Sequence, residues 1–153
     1  MAKFKKTIHE IISNEIAPNC KVLDLGCGEG DLLFFLINNK NILGHGIDIN
    51  PSAIIKSIEK GISVIQWDLN YLPLDFQDKS YDVTILNQTI TQIYEPKKII
   101  DEMLRIDKVG ILGFFNFGNL GIRLKFLLGG KMPITKEVPH KWFDSPNIRL
   151  LTI

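Results

Sequence analysis

Apolar residues recur at helical spacing in the opening stretch, at Ile8, Ile11, Ile12 and Ile16, and predict an amphipathic helix that Pro18 and Asn19 bring to an end. The run KVLDL is short, continuously apolar apart from one acid and bounded by turn residues, so it reads as a buried strand. A glycine turn leads from it into DLLFFLINNK, which is apolar on too many faces for a surface helix. It should pack against a sheet on one side and another element on the other, and Asn38 and Asn39 suit its end.

The alternation continues. GHGIDIN predicts a second strand, and NPSAIIKSIEKG a helix with Asn50 as N-cap, Pro51 in the first turn, Gly61 just past the end and a core face of Ile54, Ile55 and Ile58. ISVIQWDL predicts a third strand, NYLPLDFQDKS a loop and YDVTILNQ a fourth strand. PKKIIDEMLRID opens at Pro96 as a helix burying Ile99, Ile100, Met103 and Leu104, and VGILGFFNF makes a fifth strand. Strands separated by helices of this length imply right-handed crossovers. The fold class is therefore α/β, a Rossmann-like, doubly wound and mostly parallel sheet with helices on both faces.

One domain spans residues 1–153: an N-terminal helix over 1–20, a cofactor-binding core over 21–117 and a tail over 118–153. In the tail NLGIRLKFLLGG looks helical, KMPITKEVPHKWFDSPN carries three prolines and two large aromatics without a period, and IRLLTI is apolar. No repeat or linker interrupts the chain.

Composition narrows the function. Eighteen basic against 17 acidic residues leave a net charge of +1, without a global pull toward nucleic acid or membrane. The basic start MAKFKK is followed by no apolar signal core, which points to a cytoplasmic protein. Cys20 and Cys27 form no metal-type pair and should be reduced thiols.

The chemistry gathers at VLDLGCGEGD. A glycine turn between a strand and a helix ordinarily favours an anion such as pyrophosphate. Here Gly26, Gly28 and Gly30 do not follow the dinucleotide spacing, and Asp31 stands where the third glycine would be. Asp24, Glu29 and Asp31 would repel a pyrophosphate and suit a ligand carrying an ammonium and a sulfonium, as S-adenosylmethionine does. Glu29 and Asp31 read equally well as acids that charge the helix start. Cys27 reads as a small space-filler in the turn.

Asp48 follows Gly30 at about the interval where an acid pairs with ribose hydroxyls, with Ile49 beside it. Asp68 ends the third strand, where it can accept from an adenine amino group while Leu69 or Trp67 touches the ring. Asn87 ends the fourth. No catalytic residue is assigned: Asn87 to Gln92 supplies no base or nucleophile, and His9, His45 and His140 have no identifiable charged partner. No metal-ligand spacing occurs, and the scattered basic residues argue against a nucleic-acid partner.

The pattern D-x-G-x-G-x-G at Asp24 to Gly30, the acids Asp48 and Asp68 and the strand YDVTILNQ resemble the class I S-adenosylmethionine-dependent methyltransferases. The segments VIQWDL, ILNQTI, IDEMLRI, FNFGN, RLKFLLGGKMPIT and PHKWFDSPNIRLLTI narrow the likeness to the methionine-biosynthesis protein MetW family, from Lys21 to Ile153. The resemblance implies a pocket for S-adenosylmethionine made by Asp24, Gly26, Cys27, Gly28, Gly30, Asp48, Ile49, Asp68, Leu69 and Asn87. It also implies an accessory or regulatory role beside homoserine O-acetyltransferase, MetX. A methyltransferase acting on a small molecule is the alternative.

The chain departs from the family pattern at Phe115 and Asn119, which flank Asn116-Phe117-Gly118 where the family has proline and histidine. The family pattern also continues with a helix and antiparallel strands. Without them the fifth strand is expected to be an unpaired edge, covered by a partner or by a twin in a homodimer. Met132, Trp142 and Phe143 suit such an interface as well as they suit packing over their own sheet.

Overall fold

The computed structural model describes residues 2–131, 134, 141 and 143–152. Helices and strands alternate as α1 (Ala2–Asn14), β1 (Lys21–Leu25), α2 (Asp31–Lys40), β2 (Leu43–Asp48), α3 (Pro51–Glu59), β3 (Ser63–Gln66), β4 (Val83–Asn87), α4 (Pro96–Ile106), β5 (Val109–Gly113) and α5 (Leu120–Gly129), with a 3-10 turn at Ile90–Gln92. The five strands form one parallel sheet in the order β3-β2-β1-β4-β5. The order reverses between β1 and β4, so a crevice opens at their carboxyl ends.

Strand alternation divides the core in two. Leu23 and Leu25 face one side, where they meet Leu86 and the α4 residues Ile99, Met103 and Ile106. Val22 faces the other side with Ile12 of α1 and Leu33 and Leu36 of α2. Helix α2 thus packs against the sheet and against α1, as its apolar faces require.

Three helix faces differ from the hydrophobic pattern. Of the three isoleucines expected to face the core in α3 only Ile54 is buried, whereas Ile55 and Ile58 are each 57% exposed and Ser57 is fully buried. Ser57 takes the inner position because its hydroxyl donates to the Gly28 carbonyl at 2.9 Å, which turns the helix by one residue. In α4 Leu104 is exposed, and Glu102 and Ile106 are buried beside Ile99 and Met103. In α1 Ile11 is exposed while Ile12 is buried, as is Ile16 just past its end.

Both outer strands are shorter than the apolar runs that predict them. β3 stops at Gln66 and β5 at Gly113, because each pairs on one side only among the described residues. Beyond β5, Asn119 caps α5 by accepting the Ile122 N–H. Residues 147–151 then lie against the segment after β4, with the N–H groups of Ile148 and Arg149 both donating to the Thr91 carbonyl and Phe117 N–H to the Leu151 carbonyl. Met132, His140 and Trp142 lie outside the described residues; Phe143 is exposed. No helix among the described residues is long and apolar enough to cross a membrane.

Candidate cofactor-binding site

The turn after β1 is built by backbone bonds, and at two of its glycines, Gly26 and Gly30, a Cβ would run into neighbouring side chains. The N–H groups of Gly26 and Cys27 both donate to the Ile47 carbonyl at the end of β2, and Gly30 N–H donates to the Cys27 carbonyl. Gly28 N–H donates to Asp48 Oδ2 at 2.7 Å. These four donors are therefore engaged within the protein, which removes the anion cradle that such a turn otherwise offers. Gly26 and Gly30 hold φ of +82° and +73°, and a Cβ at Gly30 would lie 2.5 Å from Ile62 and 2.7 Å from the Ser57 hydroxyl. Only glycine fits there.

Asp24 shares the parity of Val22 along β1 and so points to the α1 and α2 side. It is 3% exposed, and no donor among the described residues bonds its carboxylate. Burial, with the Asp48 charge adding to it, pushes its carboxyl up to about 7. The Cys27 thiol is pushed up to about 12, chiefly by burial and then by Asp24, so it is no nucleophile at neutral pH.

The other two acids of the turn are already neutralised. Lys56 of α3 bonds Glu29 at 2.7 Å and holds its carboxyl below the usual range, and Lys60 bonds Asp31 at 2.5 Å. Asp24 has no such lysine partner among the described residues.

A cleft of about 330 Å³ opens over this turn, lined by Asp24, Gly26, Cys27, Gly28 and Asn87 among the expected residues. Glu29, Asp31 and Leu32 from the turn and the start of α2, Ile8 and His9 from α1 and Gln88 after β4 complete it. Neither the histidine, packed on the Phe35 ring at 5.7 Å, nor Gln88, with φ of +63°, carries a sequence signal for this place. Gly30 stands behind the turn against α3 rather than in the cleft.

The remaining expected residues lie along the carboxyl ends of β2 and β3. Asp48 binds Gly28 N–H through one oxygen and Asn50 N–H through the other, which aims it back over the turn, and Ile49 beside it is exposed. Asp68 is half-buried just beyond β3. Leu69 is buried in the core with Leu23 and Leu86, leaving Trp67 as the exposed apolar group there. Among the described residues no cluster of His, Cys, Asp and Glu is arranged to hold a metal ion.

The arrangement suits one kind of ligand. A buried carboxyl without a donor, opening on a cleft, can take a cation, and Asp48 and Asp68 each keep lone pairs that can accept further donors. Parallel strands in this order, with an acid ending β1, a glycine turn and an acid ending β2, define the class I methyltransferase fold.

The chain belongs to the MetW family, for it matches the family model "Methionine biosynthesis protein MetW" over residues 6–153. It is 31% identical over 153 residues to the bifunctional methionine biosynthesis protein MetXA/MetW of Rhodopirellula baltica, covering 94% of this chain and 25% of that protein. It is 30% identical over 122 residues to the ubiquinone/menaquinone biosynthesis C-methyltransferase UbiE of Campylobacter jejuni, covering 74% of this chain and 51% of that one. Among solved structures, the complex of the Haloferax volcanii Trm112 methyltransferase activator with a methyltransferase superposes with a TM-score of 0.55 at 28% identity, over 61% of this chain and 42% of its own. The chain thus spans a quarter to a half of these relatives.

Proposed function

We propose that this protein binds S-adenosylmethionine and serves as an accessory or regulatory subunit of homoserine O-acetyltransferase in methionine synthesis. The observation that carries the reading is the relative in which a MetW region and MetXA form one polypeptide, taken with the donor-free carboxylate of Asp24 over the cleft. Asp24 would hold the ammonium end, Asp48 the ribose hydroxyls and Asp68 the adenine amino group, with Gly26 and Gly28 giving the backbone room. S-adenosylmethionine is a downstream product of the pathway. A pocket for it on a supporting subunit would report supply, provided its affinity differs between the free and partner-bound states.

The test is the rate of homoserine acylation by the cognate acetyltransferase, with and without this protein, at two S-adenosylmethionine concentrations. A rate that rises with the protein is the expected outcome, and its dependence on the ligand gives the direction of sensing. An unchanged rate at both concentrations overturns the accessory role.

A second reading rests on the likeness to UbiE, itself a C-methyltransferase. In that reading the bound group supplies an electrophilic methyl on sulfur, and this chain contributes orientation and exclusion of water, since Asn87, Gln88, Thr89 and Thr91 only donate and accept hydrogen bonds. Methylated product with any of a panel of small acceptors would establish it. The proposal further places the protein in the cytoplasm, away from nucleic acid and membrane, as a complex or a homodimer.

A further inference from the structure

Asn70 carries no sequence signal, yet it joins the stretch after β3 to the segment after β4. Its backbone N–H and its Nδ2 both donate to the same Asp68 oxygen, Oδ1, each at 2.9 Å. Its own carbonyl oxygen accepts Tyr94 N–H at 2.9 Å. A backbone N–H can only donate, so Tyr94 decides which end of the amide is oxygen and turns the nitrogen toward Asp68. Tyr94 is itself secured: Arg149 of the tail donates to the carbonyls of Ile93 and Tyr94.

The consequence falls on Asp68. The terminal torsion of an aspartate is broad and exchanges its two oxygens freely. Two donors on Oδ1 end that exchange, and no donor among the described residues bonds Oδ2. One oxygen is consumed and the other is left poised.

We propose that Asn70 is the positioning residue of the base end of the pocket, holding Asp68 so that Oδ2 meets an exocyclic amino group and the site selects adenine over a purine that lacks one. The inference rests on the reading of this site as an S-adenosylmethionine pocket. A site organised to accept a hydrogen bond rejects a ligand without the donor, because its polar group is then left unpaired.

Calorimetric titration tests it with S-adenosylhomocysteine and with its analogue bearing purine in place of adenine. Asn70→Asp keeps an oxygen for Tyr94 N–H, leaves the backbone N–H on Asp68 and replaces the Nδ2 donor with a carboxylate that repels Asp68; Asn70→Ser restores a short uncharged donor. The intact protein is expected to prefer the adenine ligand by about tenfold. In Asn70→Asp that preference should shrink to about twofold, with the affinity for the purine analogue changed less than about twofold, and Asn70→Ser should fall between. Equal weakening of both ligands by Asn70→Asp would reduce Asn70 to a structural support and overturn the proposal, as would a preference left intact. Equal binding of both ligands by the intact protein overturns the proposal and spares the pocket. Binding of neither overturns both.

Discussion

Two stretches of this chain combine leucines with glycines, and they meet opposite fates. In residues 22–36 Val22, Leu23, Leu25, Leu32, Leu33 and Leu36 are all buried. In α5, LGIRLKFLLG, no residue is buried and Leu127 and Leu128 are 78% and 85% exposed. Apolar content is the same in kind, so neighbours make the difference. β1 sits between β2 and β4 and feeds a helix back onto its own sheet, whereas α5 follows the edge strand β5, whose Val109 and Leu112 stay exposed, and buries no residue against it. Burial is conferred by place in the sheet order.

Substitution at the turn should show the largest effect. Gly30→Val adds a Cβ at positive φ into Ser57 and Ile62 and should cost about 3 kcal/mol or more, measured by urea unfolding. A loss under about 1 kcal/mol would mean that the turn is looser than its bonds imply.

Asp24→Asn comes next, and its sign depends on pH. The folded protein holds the Asp24 proton more tightly than the unfolded chain, so the stability it contributes is full below about pH 4 and is lost as pH rises through about 7. The amide avoids that loss. At pH 8 the variant should be more stable than the parent by on the order of 3 kcal/mol, and the difference should vanish near pH 3. Cationic ligands should bind it poorly, and for the parent their affinity should rise with pH through 7.

Away from the turn the expected effects shrink. Glu102 of α4 accepts Leu74 N–H at 2.6 Å and Arg105 at 2.7 Å, and Arg105 reaches the Phe76 carbonyl and Asp78, which pins the loop after β3. Glu102→Ala leaves the Leu74 N–H without its acceptor and takes two bonds from the Arg105 guanidinium, and it should cost about 2 kcal/mol in thermal or urea melts. At the other pole, Leu128→Glu on α5 should change the stability of the chain by less than about 0.5 kcal/mol. A larger loss, dependent on protein concentration, would show that a second copy covers the helix in solution.

Much of the fold was legible from strand and helix periods alone, because β1 and β4 are buried on both faces and are therefore mostly apolar. The helix faces were less so. Ile55, Ile58 and Leu104 carry the right chemistry at spacings that fit a core stripe, and only the hydrogen bonds of Ser57 and Glu102 displace them. The ends of β3 and β5 were also misjudged, since an apolar run does not reveal how many partners a strand will have.

The sequence by itself determined the α/β alternation, the glycine turn, the acids ending β1 and β2 and the family, because those depend on residue types at fixed local spacing. Tertiary structure decided what each acid does. Asp24 is left without a donor, Glu29 and Asp31 are claimed by Lys56 and Lys60, and Asp68 is held by an amide that Tyr94 orients. Lys56 and Glu29 stand 27 residues apart, and Tyr94 and Asn70 24 apart. Pairings over such separations depend on how the strands are ordered in the sheet, and no local pattern encodes that order.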